Sequence, residues 1–140
     1  LSMRLEKQWG VWTLDFRPDF TAAESGLDVF INWDKEFIGK EAAEKETHSG
    51  TKQKLVTLTI DSEEIDVSND EAILKNEEPI GYISSGGYAH YVKKSVALGY
   101  VPTEHSKPGT NLQVEILGEI YSAVVQGEPL YDPNGARMRG

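Results

Sequence analysis

The clearest structural signal in the chain is a β-hairpin, indicated by Leu112-Gln113-Val114-Glu115-Ile116-Leu117-Gly118-Glu119-Ile120-Tyr121-Ser122-Ala123-Val124-Val125. Apolar residues alternate with other residues on both sides of Gly118-Glu119, as in strands with one buried face. The glycine permits the backbone conformation of a tight turn. The sequence therefore predicts two antiparallel strands, at 112–116 and 121–125.

Short strands separated by turns also occupy the chain upstream of this hairpin. β-Branched and aromatic residues are concentrated at residues 55–60, 79–84 and 95–101, and each run has the length of a strand. Turns are indicated at Asn76-Glu77-Glu78 and at Lys107-Pro108-Gly109-Thr110-Asn111, where proline presets one dihedral and glycine permits the next. The spacing predicts a small β-barrel or sandwich.

The first 46 residues have a different character and contain all three tryptophans, Trp9, Trp12 and Trp33. Residues 37–46 predict a helix, because apolar residues there share one face and charged residues the other. Residues 28–33 alternate as a strand would. The polar segment 47–51 predicts a boundary between this part and the β-rich part.

The net charge of −9 and the absence of cysteine exclude several kinds of site. Nucleic acids and anionic membranes are bound through clustered Lys and Arg, and the basic residues here are scattered, so we expect neither partner. No apolar run approaches the ~20 residues that span a bilayer. Without cysteine there is no disulfide, thiolate nucleophile or cysteine-bound metal. From its first residues we expect no signal peptide in this stretch, and we expect the native N-terminus to lie elsewhere.

Two features that suggest a metal site have simpler explanations. The acidic segment 61–71 imitates a calcium loop when counted from Asp66, but Glu71 stands where an EF-hand needs glycine, so we favour a solvated acidic loop. The three histidines lack a second histidine at metal-binding spacing, and they are His48, His90 and His105. No nucleophile, phosphate-loop or dinucleotide motif is present, so the residues alone predict no catalytic or metal site.

Three ordered stretches carry a further pattern. They are Arg4-Leu5-Glu6 with Gly10 and Glu24-Ser25-Gly26-Leu27, then Phe37-Ile38-Gly39-Lys40-Glu41-Ala42, then Ile80 to His90 with its continuation to Thr110. In this order and spacing they resemble the C-terminal half of the glycine cleavage T-protein family, over nearly the whole chain. The segment Ser85-Gly86-Gly87-Tyr88-Ala89-His90 is most similar to the dimethylglycine and sarcosine dehydrogenase branch. Taken alone, this segment is typical of a turn with two permissive glycines.

The resemblance implies a fold and a division into domains. The family transfers a one-carbon unit from an amino-methyl donor to tetrahydrofolate, within three domains around a folate channel. Residues 1–46 would be an α+β N-terminal remnant that ends the central folate-binding domain. Residues 52–140 would form the C-terminal, mostly antiparallel β-barrel of the aminomethyltransferase type. The catalytic aspartate of the family lies upstream and matches no residue here.

Glu6 is the one site residue that the resemblance carries over. The glutamate of the Arg-Leu-Glu motif holds the pterin ring in the family, and a carboxylate suits the paired N–H groups of a pterin. The alternative is a surface ion pair with Arg4 or Lys7. Relatives also use arginines further along for the folate, and Ser68 stands at one such position, which disfavours a contact with the glutamyl tail.

The resemblance implies a C-terminal fragment of a tetrahydrofolate-dependent aminomethyl or methyl transferase, either T-protein-like or dimethylglycine dehydrogenase-like. The fragment would help the rest of its own polypeptide to close the folate site, and it would be inert alone. Its location would be the cytoplasm or the mitochondrial matrix, and FAD would belong to an upstream domain of the dehydrogenase-like protein.

Two further expectations concern partners and alternatives. A homodimer through the N-terminal segment is expected, since Trp9, Trp12 and Val29 would lose packing partners supplied by the missing domain. The alternative functions are a non-catalytic small-barrel binding module and a folate-binding relative in RNA modification or sulfur-compound demethylation, because a fold does not determine a function.

Overall fold

The computed structural model of the protein describes residues 2–62 and 65–140. In chain order the elements are α1 (Ser2–Glu6), a 3-10 helix (Asp28–Phe30), α2 (Lys40–Ser49), β1 (Gln53–Ile60), β2 (Ala72–Lys75), β3 (Glu78–Ala89), β4 (Lys94–Pro102), a second 3-10 helix (Thr103–His105), β5 (Asn111–Ile116), β6 (Glu119–Gln126) and α3 (Ala136–Arg139). Within the described part of the chain, no helix has the length and apolar composition needed to cross a membrane.

The strands of the described chain close into one antiparallel barrel with the order β1-β4-β3-β2-β5-β6, and β6 returns to pair with β1. This architecture confirms the predicted β-barrel. The five strands expected from alternation and β-branched runs all lie within β1, β3, β4, β5 and β6. The sequence did not predict β2, because its four residues, flanked by charged and polar ones, give too short a pattern.

Two-residue turns join the strands of both short hairpins. Asn76 and Glu77, between β2 and β3, have φ values of 53° and 67°. Leu117 and Gly118, between β5 and β6, have φ values of 51° and 85°. Positive φ at both positions is typical of type I′ turns, whose twist matches that of paired antiparallel strands. The turn predicted at 76–78 is confirmed, and the turn predicted at Gly118-Glu119 lies one residue earlier than expected.

Alternate residues of the strands, with Val67 from the segment between β1 and β2, fill the barrel interior with an apolar core. The strand residues of this core are Val56, Leu58, Ile60, Ile73, Ile83, Ala97, Val101, Leu112, Val114, Ile116, Ala123 and Val125. Gly99 of β4 faces this core at a point of close approach. A Cβ atom there would lie 2.7 Å from Ile73 Cδ1 and 2.7 Å from the Tyr82 carbonyl oxygen. The position therefore requires glycine.

β4 is buried on both of its faces, because the N-terminal segment covers its outer side. All residues from 95 to 101 are buried, whereas a barrel strand with a solvated outer face shows alternating burial. On the outer side, Leu5 of α1 packs with Ala89, Val96 and Leu98 in a second apolar cluster. The N-terminal segment is therefore docked on the wall formed by β3 and β4.

The predicted strand over residues 28–33 is wrong. This segment forms a single 3-10 turn, with Val29 77% and Phe30 69% exposed. A closed barrel has no free edge with which an added strand could pair. The expected exposure of apolar N-terminal side chains is confirmed at Val29 and also at Trp9 and Trp12, which are 55% and 70% exposed.

The second helix, α2, is displaced by three residues from its predicted position. Gly39 has a φ of 89°, a left-handed conformation that separates the two preceding apolar residues from the helix. The helix continues to Ser49 and ends at Gly50, whose backbone N–H donates to the Glu46 carbonyl oxygen and whose φ of 83° favours glycine. Most of the polar segment 47–51 is therefore helical, and β1 follows it directly.

Candidate functional site

The first helix, α1, lies on the outer wall of the barrel and carries the Arg4-Leu5-Glu6 motif. Leu5 has no exposed surface. At the start of the helix, Ser2 Oγ accepts a hydrogen bond from the backbone N–H of His90 at 3.0 Å. A five-residue helix does not hold its conformation alone in water, so its contacts with the barrel determine its orientation.

The Arg4 side chain forms a largely buried ion pair with Asp15. Arg4 Nη1 lies 3.1 Å from Asp15 Oδ2, and the side chains are 15% and 0% exposed. The same nitrogen donates to Ser85 Oγ at 2.9 Å. Burial lowers the pKa of the Arg4 guanidinium, and the negative charge of the Asp15 carboxylate offsets part of this by raising that pKa. An arginine keeps its charge in a protein, so Asp15 is the counter-ion that this buried group requires.

A β-bulge in β3 turns two consecutive serines towards the same carboxylate. The register between β3 and β4 shifts between Ile83 and Ser85, and both Ser84 and Ser85 donate to Asp15 Oδ1, the latter at 2.6 Å. Successive side chains of a regular strand point to opposite faces, and a bulge removes this restriction. The segment after Ser85 continues as strand, so its interpretation as a turn is wrong.

The Glu6 carboxylate is held by the loop that joins β3 and β4. Glu6 is 4% exposed. Its Oε1 accepts hydrogen bonds from the backbone N–H groups of Tyr91 at 2.7 Å and Val92 at 3.4 Å. Among residues 2–62 and 65–140, no donor forms a hydrogen bond with Oε2. One carboxylate oxygen is thus used to hold the loop, and the other is available.

The surface ion pair considered as the alternative role of Glu6 is not formed. Arg4 pairs with Asp15, and Lys7 lies 3.8 Å from the carboxylate of Asp132. Both cations next to Glu6 in sequence therefore have other partners. Glu6 is also buried, with 4% of its surface exposed, so it is not the surface group that this alternative requires.

An apolar groove of about 670 Å³ lies beside α1, and its lining residues are Met3, Arg4, Glu6, Lys7, Trp9, Tyr91, Tyr131 and Met138. The rings of Tyr91 and Tyr131 meet edge to face with their centroids 4.4 Å apart. The backbone N–H of Tyr131 donates to the carbonyl oxygen of Glu6 at 3.0 Å. The groove thus combines flat aromatic surfaces with one carboxylate.

The other residues considered from the sequence lie outside this groove. Ser68 is exposed, and its backbone N–H donates to Glu71 Oε2 at 2.9 Å. The ring of His90 packs edge to face on Tyr88 with a centroid distance of 5.1 Å. In the described part of the chain, no three His, Asp or Glu side chains are grouped so that they could hold a metal ion. Glu63 and Glu64 of the acidic segment lie outside the described residues.

Sequence reasoning missed three residues that build the site, namely Asp15, Tyr91 and Tyr131. A signal for Asp15 was present, because it is the one charge in the otherwise apolar and neutral run 11–16. A charge in such a run is buried only with a partner. No comparable signal marks Tyr91 or Tyr131, which lie far apart in the sequence and meet only through the fold.

The fold and the groove together define the class of protein. It is a small antiparallel β-barrel whose outer wall carries a docked helix with a buried carboxylate. The sequence model of the family described as the glycine cleavage T-protein C-terminal barrel domain matches residues 53–132. Because this match covers more than half of the chain, the chain belongs to that family, and the resemblance noted from its motifs is confirmed.

Several proteins of known name are similar to the chain. Human mitochondrial dimethylglycine dehydrogenase is 37% identical over 140 residues, which are 99% of this chain and 16% of that protein. An aminomethyltransferase of Prochlorococcus marinus (strain NATL1A) is 33% identical over 132 residues, 93% of this chain and 35% of that protein. The crystal structure of the glycine cleavage system aminomethyltransferase T from Bartonella henselae matches with a TM-score of 0.84 and 26% identity, over 94% of this chain and 38% of that one.

The chain spans about a sixth of the length of the dimethylglycine dehydrogenases and about a third of the length of the aminomethyltransferases that it matches. The similarity to both groups agrees with the two branches that the motifs indicated. The chain therefore corresponds to a part of these longer proteins that includes the C-terminal barrel.

Proposed function

We propose that the chain is the C-terminal part of a tetrahydrofolate-dependent aminomethyl or methyl transferase, of the dimethylglycine dehydrogenase or aminomethyltransferase kind, and that it closes one side of the folate site. The observation that carries this proposal is the orientation of Glu6. Backbone N–H groups of Tyr91 and Val92 hold Oε1, and Oε2 remains for a ligand in the groove.

A pterin ring has the donor pattern and the shape that such a site suits. Its exocyclic amine and the neighbouring ring N–H point in parallel, and a carboxylate accepts from both. Glu6 Oε2 is the oxygen left to accept from this pair of donors, because Oε1 already accepts from two backbone N–H groups. The exposed rings of Tyr91 and Trp9 line the same groove, and they offer flat surfaces for a planar heterocycle.

The proposal makes the rest of the polypeptide the principal partner of this chain. It assigns residues 1–46 to the end of a central folate-binding domain and residues 52–140 to the C-terminal barrel, with tetrahydrofolate shared between this chain and the preceding part. The catalytic carboxylate and, in a dehydrogenase-like protein, FAD belong to that preceding part. The greater length of the relatives supports this arrangement.

Two smaller points complete the proposal. The location is the mitochondrial matrix or the cytoplasm, and the mitochondrial names of the dimethylglycine dehydrogenase relatives favour the former for a eukaryotic protein. The isolated chain forms a homodimer through its N-terminal segment, for which the exposure of Trp12 and Val29 is the support.

The test is a titration of the full-length polypeptide and its Glu6→Gln variant with tetrahydrofolate at matched salt. The carbonyl oxygen of glutamine still accepts from the Tyr91 N–H, whereas its amide nitrogen meets the donors of the pterin. Replacing a charge-assisted acceptor by a donor costs about 1.5–3 kcal/mol, so we expect binding roughly 10- to 100-fold weaker.

Glu115→Gln is the matched control, because Glu115 is an exposed residue of β5 and is absent from the groove lining. Its affinity for tetrahydrofolate should equal that of the unmodified protein. Equal affinities of the Glu6→Gln variant and the unmodified protein would contradict the proposal and favour a barrel that serves as a binding module for another partner.

A further inference from the structure

We infer that Asp15 is a positioning residue for Glu6. By holding Arg4 against the bulge of β3, Asp15 fixes the orientation in which α1 presents the Glu6 carboxylate to the groove. The inference rests on the proposed function, because it concerns the same carboxylate and the same ligand, and it adds a residue that does not touch that ligand.

The orientation of α1 requires a directional contact. The packing of Leu5 in the outer apolar cluster holds the helix on the wall, but apolar contacts are non-directional and do not fix its rotation. The Arg4 guanidinium is a rigid planar group whose hydrogen bonds have defined directions. Its bonds to Asp15 Oδ2 at 3.1 Å and to Ser85 Oγ at 2.9 Å therefore help to set the rotation of the helix that carries Glu6, together with the hydrogen bonds at Ser2 and at the Glu6 carbonyl oxygen.

Each oxygen of the Asp15 carboxylate accepts two hydrogen bonds. Oδ1 accepts from Ser84 and Ser85 of the bulge. Oδ2 accepts from the backbone N–H of Val11 at 2.7 Å as well as from Arg4. Oδ1 is thus fixed on β3, and Oδ2 is bonded to α1 and the segment after it, so the carboxylate transmits the position of β3 to α1.

A purely structural role for Asp15 would have a different consequence. If Asp15 served only to hold the fold together, its loss would weaken folding, and any effect on ligand binding would be independent of Glu6. If Asp15 acts through Glu6, its loss matters little once the Glu6 carboxylate has been removed. The dependence of one substitution on the other therefore separates the two roles.

The experiment titrates the full-length polypeptide with tetrahydrofolate in four forms: unmodified, Asp15→Asn, Glu6→Gln and the double variant. We expect Asp15→Asn to weaken binding roughly 3- to 30-fold, which lies within the range of coupling between residues of one network. The double variant should bind no more weakly than Glu6→Gln alone. Asp19→Asn, at an exposed ion pair with Arg17, is the control and should leave affinity unchanged.

A second pair of variants covers the case in which Asp15→Asn does not fold, since breaking a buried ion pair is strongly destabilising. Ser85→Thr keeps the hydroxyl that bonds both Arg4 and Asp15, and Ser85→Val has the same shape without it. The threonine variant should retain affinity, and the valine variant should lose part of it. Equal affinities in these two folded variants would overturn the inference.

The outcomes distinguish this inference from the proposed function. Full affinity in Asp15→Asn, or a double variant in which the two losses multiply, overturns the positioning role while the weak binding of Glu6→Gln upholds the folate site. Failure of the unmodified protein to bind tetrahydrofolate, or unchanged affinity in Glu6→Gln, overturns both.

Discussion

At Tyr100 a single hydroxyl group joins parts of the chain that are distant in sequence. It donates to the carbonyl oxygen of Asp15 at 2.8 Å. Because its one proton is used there, the Ser25 hydroxyl, 2.8 Å away, is the donor in the second hydrogen bond. Phe20 stacks on the ring with a centroid distance of 3.7 Å. A β4 residue on the barrel wall thereby fixes two positions of the N-terminal segment.

Tyr100→Phe should change how stability depends on pH. Burial raises the pKa of Tyr100 from 10.0 to about 12 in the folded chain. Between these values the unfolded chain loses a proton that the folded chain keeps, so stability is fully present below pH 10 and falls as the pH rises towards 12. One pKa unit corresponds to about 1.4 kcal/mol, which makes this loss about 2–3 kcal/mol.

Denaturant unfolding of the unmodified chain and the variant at a series of pH values measures this effect. At pH 8 the Tyr100→Phe variant should be less stable by about 1–3 kcal/mol, because the Asp15 carbonyl oxygen loses its donor. Above pH 10 the two stabilities should converge. Tyr91→Phe, at a residue that is 61% exposed, is the control. Curves that stay parallel would show that Tyr100 does not titrate as described.

At the scale of elements, α1 and the bulge of β3 form one unit. The helix has a single turn and depends on the barrel for its conformation. The two serines of the bulge, Ser84 and Ser85, both donate hydrogen bonds to Asp15. The outer burial of β4 follows from the same docking. Buried contacts of α1 and the segment after it therefore join residues 1–46 to residues 52–140.

Leu5→Ala should destabilise this unit. Leu5 is fully buried against Ala89, Val96 and Leu98, and truncating such a leucine costs about 2–5 kcal/mol. We expect a lower denaturation midpoint and faster hydrogen exchange at the Tyr91 amide, which Glu6 protects. Ile38→Ala is the control, since Ile38 is fully exposed. Unchanged midpoint and exchange in Leu5→Ala would show that α1 docks without a structural contribution from this residue.

At the scale of the whole molecule, local sequence patterns predicted the barrel. Contacts between residues far apart in the sequence determine the conformation of the N-terminal segment and the residues that meet in the groove. The hairpin at 112–125 was evident because alternation and turn chemistry act within a few residues. The segment 28–33 has a similar alternation, yet the closed barrel offers it no edge. Glu6 became a candidate through family resemblance alone. The charge of Asp15 in an apolar run indicates burial with a partner, but no local pattern encodes which partner it meets or that Tyr91 contacts Glu6.

The chain of 140 residues should be inert by itself, because the groove beside α1 is open and holds one carboxylate. Enclosing and orienting two reactants supplies about 7–11 kcal/mol of catalysis, and a positioned general acid or base contributes about 10²- to 10⁴-fold. An assay with sarcosine or dimethylglycine plus tetrahydrofolate should show no turnover above the uncatalysed rate. The full-length polypeptide is the positive control. Turnover by the isolated chain that disappears in its Glu6→Gln variant would show that a complete active site lies within these residues.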